Sequence, residues 1–235
     1  MVEKKAGTER CLVAFDVDGT LVDDTVFIWE TLHEHFGTDP RRRELTREAF
    51  MRGDITYEEW FEHDLEEFAT TGADQRGFEA VLATMRPMRG AHEVLSELHS
   101  RGVLLAVISG SLDIVLEHIF PDHPFREVLI NHLGFDERGR MDGARATLYD
   151  MGRKGEGLEM VARKCGVPLS RCAFVGDNIN DLEAVQAAGL GVAFNYKSEE
   201  LAAVADVRLA SRDLRDLLPY LLAFAQGRAL PDGGG

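Results

Sequence analysis

The chain is short of cysteine, of lysine and of long apolar runs, and each shortage removes a class of protein. Its three cysteines, Cys11, Cys165 and Cys172, are odd in number and lack the paired spacing of a zinc site, so neither a disulfide framework nor a metal knuckle is expected. Buried free thiols are expected instead. No apolar stretch reaches the roughly 20 residues that cross a bilayer, and Met1-Val2-Glu3-Lys4-Lys5-Ala6 lacks the apolar segment of a secretion signal. A cytoplasmic protein without membrane contact is the expectation. Only five lysines stand against 21 arginines, which makes a lysine at a chemically interesting position less easily accidental. Basic charge is scarce altogether: 41 acidic against 26 basic residues give a formal net charge of -15, disfavouring nucleic acid as a partner. Repeats and low-complexity segments are missing too, apart from the Gly233-Gly234-Gly235 tail.

What is present in these 235 residues, 45% of them hydrophobic, suffices for one large core carrying a smaller insert. Leu12-Val13-Ala14-Phe15 is a short apolar run stopping at polar residues and glycine, as a buried strand does at a loop. Val103 to Ile108, Cys172 to Val175 and Leu190 to Phe194 repeat the pattern. Helical stripes lie between them: Ala91, Val94, Leu95 and Leu98 ahead of Gly102, then Leu158, Val161, Ala162 and Cys165 ahead of Gly166. Alternating strand and helix predicts an α/β fold, a Rossmann-like doubly wound parallel sheet whose ligands bind beyond the carboxyl ends of the strands. Between Phe125 and Thr147, a strand at Val128-Leu129-Ile130 and a turn at Glu137-Arg138-Gly139-Arg140 suggest a small antiparallel excursion.

From about Asp24 to Arg86 the pattern is helical only. Val26, Trp29, Leu32 and Phe36 would share one face, Tyr57, Phe61, Leu65 and Phe68 another, and Phe78, Val81, Leu82 and Met85 a third. Thr56 and Glu59 form a capping box at the start of the second helix. Residues 24–86 are therefore expected to be an inserted all-helical cap domain, and 1–23 with 87–235 the α/β core domain. The insert holds more than half of the net negative charge, and its aromatic stripes read as its own core.

The chemistry lies at the strand ends. Asp16-Val17-Asp18-Gly19-Thr20 sets two carboxylates where a buried strand becomes a turn, and buried charge requires a partner or a metal. An ordinary Asp-Gly turn is the alternative. Gly176-Asp177-Asn178-Ile179-Asn180-Asp181 follows another such strand, where helix capping is the alternative. Two acidic loops on one edge of a parallel sheet make an oxygen-rich site suited to a hard cation such as Mg2+. Ser109 ends a third strand, and Lys154 stands in Gly152-Arg153-Lys154-Gly155 before a helix. A hydroxyl, backbone amides and a lysine are what positions a phosphoryl group and balances its charge.

These four clusters, in this order, resemble the haloacid dehalogenase superfamily from about Cys11 to Leu218. Within it, Val107-Ile108-Ser109-Gly110-Ser111, Lys154-Gly155-Glu156 and Gly176-Asp177-Asn178-Ile179-Asn180-Asp181 are similar to the phosphoserine phosphatase branch. The resemblance implies a Mg2+-dependent phosphomonoester hydrolase. Asp16 would be the nucleophile that becomes an aspartyl-phosphate, and Asp18 the acid and then the base. It implies metal ligation by Asp16, the backbone carbonyl of Asp18 and Asp177, supported by Asp181 and Asn178. Phosphate contacts would come from Ser109, Gly110, Lys154, Asn180 and Thr20.

The implied substrate is a small phosphorylated metabolite, phosphoserine among the candidates. Phosphoserine phosphatases, however, carry a glutamate where Thr25 stands and a cap arginine where Glu62-His63-Asp64 stands. Asp23 or Asp24 could replace the amine contact, and Arg47 or Arg52 the carboxylate contact. A carbon-halogen hydrolase would lack an acid at Asp18. A phosphotransferase using the same intermediate and a noncatalytic binding protein are the other readings, and the aromatic insert could conceal a homodimer surface.

Overall fold

In a computed structural model, which describes residues 10–23, 25 and 27–231, the apolar runs assemble into one central sheet between layers of helices. In chain order the strands are β1 (Leu12–Phe15), β2 (Val22–Asp23), β3 (Arg86–Pro87), β4 (Leu104–Leu112), β5 (Phe125–Phe135), β6 (Met141–Arg145), β7 (Cys172–Gly176), β8 (Leu190–Phe194) and β9 (Val207–Leu209). Seven of them form the sheet, in the order β6-β5-β4-β1-β7-β8-β9. All neighbours run parallel except β5 and β6. The antiparallel excursion expected near Phe125 is this β5–β6 pair. A Rossmann-like core is therefore present.

Helices α1 (Ile28–Phe36), α2 (Pro40–Arg52), α3 (Tyr57–Thr70) and α4 (Gln75–Leu82) lie between β2 and β3, which pair antiparallel. The core carries α5 (Ala91–Ser100), α6 (Asp113–Ile119), α7 (Lys154–Cys165), α8 (Leu182–Ala187), α9 (Glu199–Val204) and α10 (Leu218–Ala225). Strand alternation sends Leu12 and Ala14 of β1 toward Leu158 and Val161 of α7, while Val13 and Phe15 join the cluster holding Val94 and Leu98 of α5. All four β1 side chains are sealed from solvent, each large one stabilising the fold by about 1.5–3 kcal/mol.

Three details differ from the sequence expectation. β4 does not stop at Ile108 but continues through Ser109-Gly110-Ser111 to Leu112, with a register irregularity against β5 in that stretch. Helix α2 was not foreseen, because none of its residues is buried and no apolar stripe marks it. It is set instead by Asp39 accepting from the Arg41 amide, Pro40 in the first turn and a left-handed Gly53 at its end. Among the thiols, burial pushes Cys11 up to about 11 and Cys172 up to about 12, whereas Cys165 is only partly buried. The capping box does form: the Thr56 amide donates to Glu59 Oε2 at 2.6 Å and the Glu59 amide to Thr56 Oγ1 at 3.1 Å. Val26, Asp24 and the terminal glycines lie outside the described residues. No helix among the described residues is long and apolar enough to cross a membrane.

Candidate active site

Register brings the strand ends together. Phe15 of β1 pairs with Val107 of β4 on one side and Val175 of β7 on the other, and the Asp16 amide donates to the Val175 carbonyl at 2.9 Å. Asp16 therefore emerges between the segments that carry Ser109 and Asp177. The chain then turns sharply, with the Leu21 and Val22 amides both donating to the Val17 carbonyl at 2.9 Å. Gly19 supplies the left-handed residue of this turn, at φ 74°.

Asp18 points away from the acidic cluster. Its carboxylate accepts from the Ile28 amide at 2.7 Å and from Ser111 Oγ at 2.8 Å. Burial raises its pKa to about 7, with the Asp16 charge adding to the effect and the Ile28 hydrogen bond opposing it. A carboxyl so placed holds its proton to a higher pH than a solvated aspartate does. Ser109 is buried beside it and accepts the Ser111 amide at 3.1 Å.

Lys154, the first residue of α7, is fully buried in the other half of the site. Its Nζ lies 2.6 Å from Asp181 Oδ1, 2.9 Å from Asp16 Oδ1 and 3.9 Å from Asp150 Oδ1. Burial alone would lower its pKa, but Asp16, Asp181 and Asp150 together hold it above the ordinary lysine value. The second oxygen of Asp181 accepts the amides of Asp177 at 2.8 Å and Asn178 at 3.1 Å. Asp177 Oδ2 meets Lys197 Nζ at 2.7 Å. Burial pushes the pKa values of both carboxyls up; Asp181 and Asp16 add to it at Asp177, and Asp16 at Asp181.

Asp16, Asp177 and Asp181, all buried, each bring one carboxylate oxygen within 4.8 Å of the others. Two oxygens of the cluster, Asp177 Oδ1 and Asp16 Oδ1, are buried without a hydrogen-bond partner, Lys154 meeting Asp16 Oδ1 as an ion pair only. An all-oxygen set with an unpartnered buried oxygen fits a Mg2+ ion. The Asp18 carboxylate is not part of this group, and the Asn178 side chain instead caps the Ile179 amide at 2.8 Å.

Close packing leaves no slack here. A β-carbon on Gly176 would overlap the Asp181 carboxyl group. Gly176→Ala is expected to lower stability by about 1–3 kcal/mol and to reduce turnover, measured by denaturant titration and initial rates. Unchanged stability with full activity would show that Asp181 can move freely.

Above the cluster is a cavity of about 240 Å³ between the insert and the sheet. Asp16, Asp18, Ser109, Gly110 and Asn180 form its floor. Thr20 is fully buried with an unpartnered hydroxyl but does not line the cavity. The insert contributes Phe27, Trp29, Met51, Tyr57, Trp60 and Phe61. Its aromatic residues thus do more than pack on one another, as Phe36, Phe68 and Phe78 do; Phe78 also packs on Phe135 of β5, and several others wall the cavity. Trp29 Nε1 donates to the Gly110 carbonyl at 2.8 Å, and Asn131 Nδ2 donates to the same oxygen at 2.7 Å.

The specificity positions fall as follows. Thr25 is buried, its hydroxyl 3.4 Å from the Asp23 carbonyl, and it does not line the cavity. Asp23 pairs with Arg212. Asp64 lies 2.9 Å from His33 Nε2, whose Nδ1 is 2.6 Å from the Thr38 hydroxyl, so this buried network is internally satisfied. Glu62 and His63 are exposed. Arg47 reaches the cavity while paired with Glu44; Arg52 pairs with Asp54 and does not line it.

Sequence reasoning assigned no role to Ser111, Asp150 or Lys197. Asp150 accepts from Asn180 Nδ2 at 3.2 Å as well as facing Lys154. The scarcity of lysine was a usable signal for Lys197. Nothing local marked Asp150, which reaches the site only through the path of the chain into α7.

The profile of the haloacid dehalogenase-like hydrolases matches residues 12–189. The chain belongs to that family, and it is a phosphatase similar to the phosphoserine phosphatases. It is 29% identical over 221 residues to the phosphoserine phosphatase of Methanocaldococcus jannaschii, covering 94% of this chain and 100% of that one. The phosphoserine phosphatase of Archaeoglobus fulgidus is 30% identical over 94% of this chain, which spans 62% of that protein's length. A solved structure of a substrate-bound phosphoserine phosphatase complex matches with a TM-score of 0.72 and 27% identity, covering 92% of this chain and 100% of that one.

Proposed function

We propose that this protein hydrolyses small phosphomonoesters through an aspartyl-phosphate on Asp16, with Mg2+ as cofactor. The observation that carries the reading is the division of labour between two carboxyls: Asp16 lies 2.9 Å from the Lys154 ammonium, while Asp18 is turned aside with its pKa raised to about 7. Asp16 attacks phosphorus, the bond to the leaving oxygen breaks, and Asp18 gives its proton to that oxygen. Asp18, now a carboxylate, then takes a proton from the water that attacks the phosphoryl group, releasing phosphate and regenerating Asp16.

Lys154, Ser109, Asn180 and the Gly110 backbone would hold the phosphoryl oxygens. Thr20, whose buried hydroxyl is free, would support the turn beneath them. Asp16, Asp177 and the Asp18 carbonyl, with Asp181 in support, would hold Mg2+. Bound there, Mg2+ supplies positive charge against a dianionic ester that would otherwise repel the carboxylate nucleophile. The insert, 24–86, would act as a cap over the core and exclude water.

Phosphate release from a panel of esters, with chelator and after Mg2+ is restored, tests this reading. Chelation is expected to lower turnover by on the order of a hundredfold or more, with recovery on adding Mg2+. Turnover indifferent to chelator would sink it. Phosphoserine is brought forward by the relatives' names, while Thr25 lies off the cavity lining and Asp64, paired with His33, stands where a cap arginine is expected.

A further inference from the structure

We propose that the leaving-group side of the cavity takes an aromatic or bulky apolar alcohol, so that the preferred substrates are phosphomonoesters with a ring near the ester oxygen. This rests on the hydrolase reading above and specifies its substrate class. The polar ends of two wall residues, Trp29 and Tyr57, are tied down, whereas the buried Trp60 Nε1 has no hydrogen-bond partner. Trp29 Nε1 is held by the Gly110 carbonyl and the Tyr57 hydroxyl accepts from Asn131 at 3.0 Å, leaving their rings to the cavity. Phe27, Trp60 and Phe61 add apolar wall, and Met51, 58% exposed, extends it to the mouth. Flat apolar surfaces of this kind stack rings and gain little from a compact zwitterion.

The charged groups define the competitors. An amino-acid leaving group needs a cation for its carboxylate and an anion for its amine. Arg43, Arg47 and Glu30 line the cavity and make phosphoserine the direct competitor in the test, while the lining carboxylate of Asp64 is engaged by His33 and the Thr25 hydroxyl lies outside the lining. A quaternary ammonium would also suit aromatic walls; Arg43 and Arg47 line the cavity together with Glu30, Asp64 and Asp150, so phosphocholine is the second competitor in the test.

The test compares kcat/KM in Mg2+ for benzyl phosphate, ethyl phosphate, O-phosphoserine and phosphocholine, all alkyl esters, so that an activated aryl leaving group does not bias the ranking. Benzyl phosphate is expected to exceed each of the others at least tenfold. Trp60→Ala is expected to cut the benzyl-to-ethyl ratio at least fivefold, and so is Met51→Glu, which alters an exposed residue and spares the core. Phosphoserine or phosphocholine matching benzyl phosphate, or ratios unmoved in both variants, overturns the proposal while ethyl phosphate turnover keeps the hydrolase reading intact. Absence of Mg2+-dependent turnover of every ester overturns both.

Discussion

Asp16→Asn is expected to lower kcat by roughly 10⁴-fold or more while the protein remains folded, since a neutral amide cannot attack phosphorus and no neighbouring group can replace it. Asp18 is directed at Ser111 and the Ile28 amide, and Asp181 is occupied by Lys154 and two backbone amides. The substitution removes one charge from a group of three buried carboxylates, so the unfolding midpoint of the metal-free protein should hold or rise. Rapid-quench trapping of a phosphorylated protein should succeed with the parent chain and fail with the variant. Turnover within tenfold of the parent would remove Asp16 from the chemistry.

Lys154→Met should do the opposite to stability. The side chain is 0% exposed and its ammonium stands within hydrogen-bonding reach of both Asp16 and Asp181. Methionine fills the volume but leaves those charges uncompensated, at a cost of about 3–5 kcal/mol, together with loss of activity. Carboxyls whose folded pKa lies above the unfolded one destabilise the fold fully above the folded value, and the penalty fades as pH falls from that value toward the unfolded one. The deficit should therefore shrink between pH 8 and pH 5. Adding Asp181→Asn should restore part of the stability in a double-mutant cycle. A pH-independent loss would mean that the lysine contributes packing alone.

Strands β1, β4, β7 and β8 of the central sheet were legible because each holds a short apolar run, whereas β9, Val-Arg-Leu, carries no such run and was not read. Leu12–Phe15 and Leu190–Phe194 begin and end where the pattern places them. Helix α2 was not legible, since Leu45 and Met51 face solvent and its boundaries depend on Asp39, Pro40 and Gly53 rather than on a buried stripe. At the site, residues next to a strand end could be read from the sequence, because parallel register gathers strand ends. Ser111 and Asp150 could not, since each acts on a group distant in sequence, Asp18 and Asn180; the scarcity of lysine marked Lys197 but not its partner, Asp177. The insert's aromatic residues were legible as an apolar set but not as a wall, because helical period shows which residues share a face and not what that face meets.

The Gly110 oxygen joins the indole of the insert to the amide of β5, and the next residue, Ser111, holds Asp18. A displacement of the indole would therefore be passed to the peptide that carries Ser111, and under the proposed chemistry the position of the insert and the hold on Asp18 would change together.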